Sequence, residues 1–299
     1  MEERQFARGV TLTLIGGALW GLSGTCAQYL IQYKGFAPQW LTSVRLLCAG
    51  LLLLLYELRK IGVQVFAPLR QRYNLLQLAM FGLFGMAGCQ YTYFVAIQHS
   101  NAGTATVLQY LGPSIILCVV CVHNHVAPRP KELLGVALSV LGTFLLATHG
   151  QLGMLAISGV ALAAGLLSAC CQAVYTLQPA RLIAHFDTPV IICWGMLFGG
   201  VLLSIGLQPW HYTVVLDGQA VLALLVVVVF GTIVAFCAFL QGVRYLGPTT
   251  SSLLACVEPV SALVFSAVLF DAHFQPVDWL GFACVLATIF VLALGKKRV

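Results

Sequence analysis

Not one charged residue lies between Gly9 and Tyr33, and comparable apolar runs recur along the rest of the chain. A helix rises ~1.5 Å per residue, so ~20 such residues cross the ~30 Å hydrocarbon layer of a bilayer. Inside that layer no water satisfies the backbone, so each run must bond to itself as a helix. The runs are too long and too uniformly apolar for the alternating strands of a membrane β-barrel. Composition agrees: 60% of the residues are hydrophobic and 8% are charged, against ~25% charged in a soluble domain. A soluble enzyme, a disordered chain and a nucleic-acid binder are excluded, although the net charge is +6.

Charged and Gly/Pro/Asn-rich breaks divide the chain into ten expected spans: 9–31, 39–57, 74–97, 103–123, 132–149, 154–177, 188–207, 219–241, 249–270 and 277–295. The breaks include the basic stretch 58–73, 124–130, 149–153, 178–187, 208–218 and 271–276. With the N-terminus inside, thirteen Lys/Arg fall on inner segments, Lys34 alone on an outer loop and Arg45 within span two, and 13 + 1 + 1 = 15 accounts for the full set. This asymmetry predicts that both termini are cytoplasmic. Leu22-Ser23-Gly24-Thr25-Cys26 approaches a lipoprotein cleavage box, but Thr25 precedes the cysteine, so the first span is expected to stay uncleaved. The eleven cysteines all lie in apolar runs, which argues for small packing residues rather than disulfides. Cys118-x-x-Cys121 has no further ligand nearby, so no metal or other cofactor is expected.

The chain repeats itself. A shift of 146 residues carries Leu134-Gly135-x-Ala137 onto Leu280-Gly281-x-Ala283, Phe144 onto Phe290 and Pro113 onto Pro259. A shift of 144 carries Gly21-Leu22 onto Gly165-Leu166, Cys26 onto Cys170 and Gln28 onto Gln172. The halves are expected at residues 1–150 and 151–299, with five spans each. An odd number of spans turns the second half over, and two inverted repeats are the architecture of secondary transporters.

Several segments carry a family resemblance. Ala18-Leu19-Trp20-Gly21-Leu22-Ser23-Gly24 is similar to the opening helix of EamA-type transporters, a family of the drug/metabolite transporter superfamily. Arg45-Leu46-Leu47-Cys48-Ala49-Gly50 resembles that family's second helix, and Ala96–Pro113 and Gly242–Pro259 resemble its repeat signature. The likeness spans essentially the whole chain. It implies an all-α membrane protein of ten helices in two inverted five-helix repeats, moving small metabolites, often outward, through a bacterial inner membrane. Amino acids, aromatic ones included, are among the solutes relatives handle. Many relatives have Glu-Pro in both halves; here the first half has Gly112-Pro113 and only the second has Glu258-Pro259, which argues against a symmetric acidic mechanism.

Ionisable side chains at membrane depth are expensive, so they mark function by default. Arg45 and Glu258 qualify. Glu258 can take a proton or a substrate ammonium beside a helix opened by Pro259, or it can be a structural acid paired with Arg45. Arg45 can snorkel, pair, or meet a substrate carboxylate. Polar and aromatic stripes supply a further set: Trp20 and Gln28 on span one; Gln90, Tyr91 and Tyr93 on span three; Gln109, Tyr110 and Pro113 on span four; Gln172 and Tyr175 on span six; and Gln241 on span eight. Each alone can be an interhelical hydrogen bond; together they read as the lining of a midplane cavity for a small molecule such as an amino acid, with Pro113 and Pro259 as helix breaks for gating. The chain has no Walker A, His-Glu-x-x-His or Gly-x-Ser-x-Gly sequence, so neither ATP hydrolysis nor enzymatic turnover is expected. Other solutes (nucleosides, drugs, sugar phosphates), import, and a non-transporting receptor are the competing readings; sugar phosphates would need more cavity cations than Arg45 alone.

Overall fold

The computed structural model describes residues 2–100, 102–148, 158–270 and 276–293, and among them every regular element is helical. The expected breaks at 149–153 and 271–275, Asn101, and the terminal Lys296, Lys297 and Arg298 lie outside the described residues. The elements are α1 (Glu2–Gln28), α2 (Pro38–Ile61), α3 (Arg72–Met80), α4 (Gly88–His99), α5 (Ala102–Gln109), α6 (Gly112–Asn124), α7 (Pro130–Thr148), α8 (Gly159–Leu177), α9 (Ala180–His185), α10 (Thr188–Leu207), α11 (Gly218–Leu225), α12 (Ala235–Leu246), α13 (Pro248–Leu254), α14 (Val257–Phe270) and α15 (Pro276–Ala293). Wider π-helical turns, Phe81–Ala87 and Val226–Val234, join α3 to α4 and α11 to α12, and a third, Tyr29–Tyr33, extends α1.

Six continuous helical stretches are long and apolar enough to cross a bilayer: 4–33, 38–70, 72–99, 159–185, 188–207 and 218–246. Their limits follow from local chemistry. Pro38 opens α2, where a missing N–H leaves no bond unmade. Arg59 and Lys60 occupy its last turn, against the negative end of the helix dipole. Gly62 then turns the chain at φ +59°, a conformation that glycine adopts without strain. Ser158 caps α8 by accepting from Ala161 N at 3.1 Å, and Asp217 caps α11 by accepting from Ala220 N at 2.8 Å.

Two sequence expectations need correction. The basic stretch 58–73 is not an open loop: it completes α2 and continues as a 3₁₀ helix, Gly62–Arg70, pinned by the Trp194 indole N–H donating to Val65 O at 2.8 Å. The stretch 178–187 likewise holds the short helix α9. Spans four and nine each divide into two helices. The first is interrupted at Tyr110-Leu111 and the second at Ala255-Cys256. Pro113 and Pro259 each fall in the first turn of the helix that restarts, where the ring blocks no interior hydrogen bond.

The helices pack in corresponding pairs. α1 lies on α12 as α4 lies on α8; α1 meets α14 as α8 meets α6; α2 packs on α10, and α7 on α15. Glycines allow the closest approaches. A Cβ on Gly82 would sit 2.5 Å from Gly195 O and 2.8 Å from Gly199 N, so the first long π turn and α10 touch backbone to backbone. Trp20, Phe81, Met86, Tyr175, Phe236 and Phe239 form the larger buried cluster, while Leu51, Leu55, Ile205 and Leu222 are exposed. Outward-facing leucine is what a lipid environment accepts.

Candidate functional site

The two interrupted spans meet the first helix at the centre of the bundle. There the structure encloses a cavity of about 50 Å³, lined by Trp20, Gly24, Arg45, Cys89, Gln90, Tyr93, Phe94, Gln109, Gln172, Tyr175, Phe236 and Glu258. That is room for a few water molecules, so the site is too small for a substrate in this conformation.

Glycine brings the carboxylate helix inward. A Cβ at Gly21 would lie 2.5 Å from Glu258 O and 2.6 Å from Ala262 N, so α1 and α14 are in direct backbone contact. The Thr25 hydroxyl, within donor distance of Gly21 O (3.0 Å) and Ala262 O (3.3 Å), ties the same crossing. Glu258 is buried, and the Tyr110 hydroxyl stands 3.3 Å from its Oε2 and 2.9 Å from Ala255 O. One hydroxyl proton therefore serves either the carboxylate or a carbonyl freed at the helix break. Tyr110 itself sits at the break in the other half, so the two interruptions touch.

Arg45 is 4% exposed. Its Nε donates to Thr232 Oγ1 at 3.0 Å, one terminal nitrogen reaches Gly231 O at 3.4 Å, and the guanidinium lies 5.1 Å from the Phe94 ring centre. Both oxygen partners come from the π turn Val226–Val234. Among the described residues Arg45 and Glu258 form no ion pair with each other or with another residue. A guanidinium and a carboxyl group thus border one small cavity without touching one another.

Between them lies an amide and hydroxyl network. Gln109 Nε2 donates to Ser168 Oγ at 2.7 Å and to Cys89 Sγ at 3.3 Å, Ser168 Oγ donates to Cys89 O at 3.0 Å, and Tyr93 OH lies 3.0 Å from Thr106 Oγ1. Other polar atoms are buried with no partner among the described residues: Trp20 Nε1, both amide atoms of Gln90, and Gln172 Oε1. An orphaned buried polar group costs ~1–3 kcal/mol. Four such atoms on the wall of one cavity are the pattern of a site whose partners arrive with a ligand. The floor is aromatic: the Trp20 ring packs edge-on against Phe236 at 5.0 Å and Tyr175 at 6.2 Å. Among the described residues no cluster of three His, Cys, Asp or Glu side chains is arranged to hold a metal.

The structure therefore gathers Trp20, Arg45, Gln90, Tyr93, Gln109, Gln172, Tyr175 and Glu258 around the cavity, with Tyr110 touching Glu258 and Pro113 and Pro259 buried at the restarts. Three expected residues lie elsewhere. Gln28 bonds Gln32 at 2.9 Å one helical turn further on; Tyr91 is half-buried and outside the lining; Gln241 lines a separate cleft. Helical periodicity assigns a face but not a depth, and these three fall on the wrong face or at the wrong level. Gly24, on the stripe of Trp20, also lines the cavity, as do Phe94, Phe236 and Cys89, which nothing but their spacing from Gln90, Tyr93 and Trp20 marked.

A helical bundle with broken helices meeting at a small cavity lined by polar and aromatic side chains is the architecture of membrane solute transporters. The EamA-like transporter family model matches residues 7–148 and again 158–294, and the chain belongs to that family. It is 37% identical over 293 residues to the uncharacterized inner membrane transporter YicL of Salmonella typhimurium, covering 97% of both chains. It is 25% identical to the threonine/homoserine exporter RhtA of Escherichia coli over 246 residues, 79% of this chain and 78% of that one. A solved crystal structure superposes with a TM-score of 0.77 at 21% identity, covering 95% of this chain and 96% of the other, which establishes the shared fold. The protein is thus a multi-pass inner-membrane transporter of a small molecule, not an enzyme.

Proposed function

We propose that the protein is a secondary exporter of amino acids, which carries its substrate through the central cavity by alternating access. The observation that carries this reading is the set of groups around one small space: a cation and a carboxyl group that form no ion pair among the described residues, and four orphaned polar atoms. A zwitterion answers all of them, with its carboxylate toward Arg45, its ammonium toward Glu258, and its side chain between Gln90 and the Trp20–Tyr175 floor. Ten spans in two inverted units, residues 1–150 and 151–299, with both termini cytoplasmic, supply the machinery. The exchange of pairings between α1–α12 and α8–α4, and the two family matches at 7–148 and 158–294, support that arrangement. Rocking of the units about the breaks at Tyr110-Leu111 and Ala255-Cys256 would open the cavity to either side. The substrate gradient or protons would drive export, with Glu258 as the proton site.

The name of the relative RhtA directs attention to threonine and homoserine, and the aromatic floor to Phe, Tyr and Trp. Counterflow in proteoliposomes separates them. Protein preloaded with one amino acid should accumulate its labelled form, and excess unlabelled substrate should abolish the signal. Absence of counterflow for every amino acid, from folded protein, would refute the reading.

A further inference from the structure

A second cleft, distinct from the central cavity, lies between the α1–α12 pair and the α2–α10 pair, at the end of the bundle that carries Arg8, Lys60 and Arg244. Its volume is about 760 Å³, well above that of the central cavity and within the range of sites that hold drug-sized ligands. The chemistry changes along it. Arg8, Lys60 and Arg244 stand at one end, and Leu12, Leu53 and Ile233 wall the remainder. Leu52 and Val234 on its edges are exposed, so the cleft opens sideways, toward lipid, rather than into the bundle. From Lys60 to Leu52 is eight residues of α2, or ~12 Å along the helix axis. A ligand filling the cleft therefore runs ~12 Å along this wall, charged at one end and apolar toward the other.

The charges identify the head. Among the described residues neither Arg8 nor Arg244 has an acid within ion-pair distance, and Arg8 instead stacks on the Tyr245 ring at 5.8 Å. Two unneutralised arginines at the mouth of a lipid-facing cleft suit a phosphate. They do not stand alone. Glu57 also lines the cleft, fully buried, with neither carboxylate oxygen hydrogen-bonded among the described residues and only a long ion pair, 3.8 Å, to Lys60 Nζ. Exposed Asp187 adds a second carboxylate at the rim. A purely anionic head would meet these acids unfavourably. A head with both a phosphate and an ammonium group matches both signs.

We propose that this cleft binds a phospholipid whose head carries a primary ammonium group, phosphate against Arg8, Lys60 and Arg244, ammonium toward Glu57, and one acyl chain along the apolar walls. Because α1 and α2 come from one half of the chain and α10 and α12 from the other, the lipid would sit where the halves move against each other. The assignment does not rest on the transported solute being an amino acid.

The test uses the purified full-length protein, delipidated in detergent and titrated with phosphatidylethanolamine, its mono- and dimethylated forms, phosphatidylcholine and phosphatidylglycerol. Retention is read by native mass spectrometry and stability by the apparent melting temperature. Phosphatidylethanolamine should be retained several-fold better than phosphatidylcholine, with the methylated forms falling in order between them, because each methyl removes an N–H donor. The double variant Arg8→Gln/Arg244→Gln, at exposed positions, should lose retention of all the lipids. Glu57→Gln should erase only the advantage of the ammonium over its methylated forms; if that variant does not fold, the methylation series on the unaltered protein decides the same point. Equal retention across the series, stronger retention of phosphatidylglycerol, or equally strong binding of free phosphoethanolamine without acyl chains would each overturn the proposal.

Discussion

The contact of α1 with α14 at Gly21 sets where Glu258 stands, and it can be broken by one methyl group. In Gly21→Ala the new Cβ would be 2.5 Å from Glu258 O and 2.6 Å from Ala262 N, whereas ordinary contact begins at 3.4 Å. The helices must part by about 0.9 Å, the difference between 3.4 and 2.5 Å. The nearest obstructing atom, Ser261 Oγ, can rotate aside at the cost of its bond to Glu258 O, but Glu258 O and Ala262 N are backbone and cannot. Overpacking of this kind costs about 1–3 kcal/mol, offset by up to ~1 kcal/mol from alanine's better helix propensity. A net loss of about 2 kcal/mol follows at the strained end of that range. Gly206 on α10 provides the opposite case: a Cβ there meets nothing within 4 Å, so Gly206→Ala should gain up to ~1 kcal/mol. The two single-methyl variants should thus differ by about 3 kcal/mol. Apparent melting temperature in detergent reads this directly, and counterflow reads the displacement of Glu258. Gly21→Ala should melt several degrees lower and transport poorly, while Gly206→Ala melts at or above the parent and transports normally. A Gly21→Ala protein with unchanged melting temperature and unchanged transport would refute the claim that this crossing is closed by backbone contact and positions the carboxyl group.

Other expectations follow from the same geometry. Gln90→Met, close in volume, removes an amide with no partner; melting temperature should rise, by the equivalent of about 1–3 kcal/mol, while transport falls, and unchanged transport would remove Gln90 from the site. Glu258→Gln should abolish the pH dependence of transport or transport itself, and a variant with full rate and the original pH profile would exclude the proton role. The pair of Lys34 with Asp217 joins the end of the first span to the cap of α11. Hydrogen bonding to Asp217 raises the Lys34 pKa and hydrogen bonding to Lys34 lowers that of Asp217. The depressed carboxyl contributes stability above the usual carboxylate range and loses it as pH falls through its lowered value; the raised amine contributes below the usual lysine value and loses it in strong alkali. Asp217→Asn keeps a capping oxygen and should flatten the acid limb of melting temperature against pH, whereas Asp217→Ala should lower stability at all pH values; identical behaviour of the two would show that the ion pair contributes nothing.

Some of the site was legible in the sequence and some was not, for physical reasons. Arg45 and Glu258 stood out because a charge within an apolar run has few explanations. Pro113 and Pro259 marked helix breaks, and the structure adds that the gaps fall just before the restarting turns rather than at the prolines. Glu57 went unremarked because it lies three residues from Lys60 at a span end, where acids are ordinary; its complete burial is a tertiary fact. Gln28, Tyr91 and Gln241 share residue type with the cavity lining but not its level in the bundle.

The π turns were equally invisible, and they bear on how such a chain can change. A π turn holds one residue more than an α turn, so everything beyond it is rotated by about 100° from the course of an uninterrupted helix. Gln90, Tyr93 and Phe94 follow the turn at Phe81–Ala87, and Phe236 follows the one at Val226–Val234. Their inward aim is thus a property of chain length as much as of side-chain identity. Loss of a single residue from either turn would leave every downstream side chain intact in sequence and turn it toward the neighbouring helix or the lipid. A substitution on this wall changes one contact, but a one-residue deletion behind it would dismantle the wall itself.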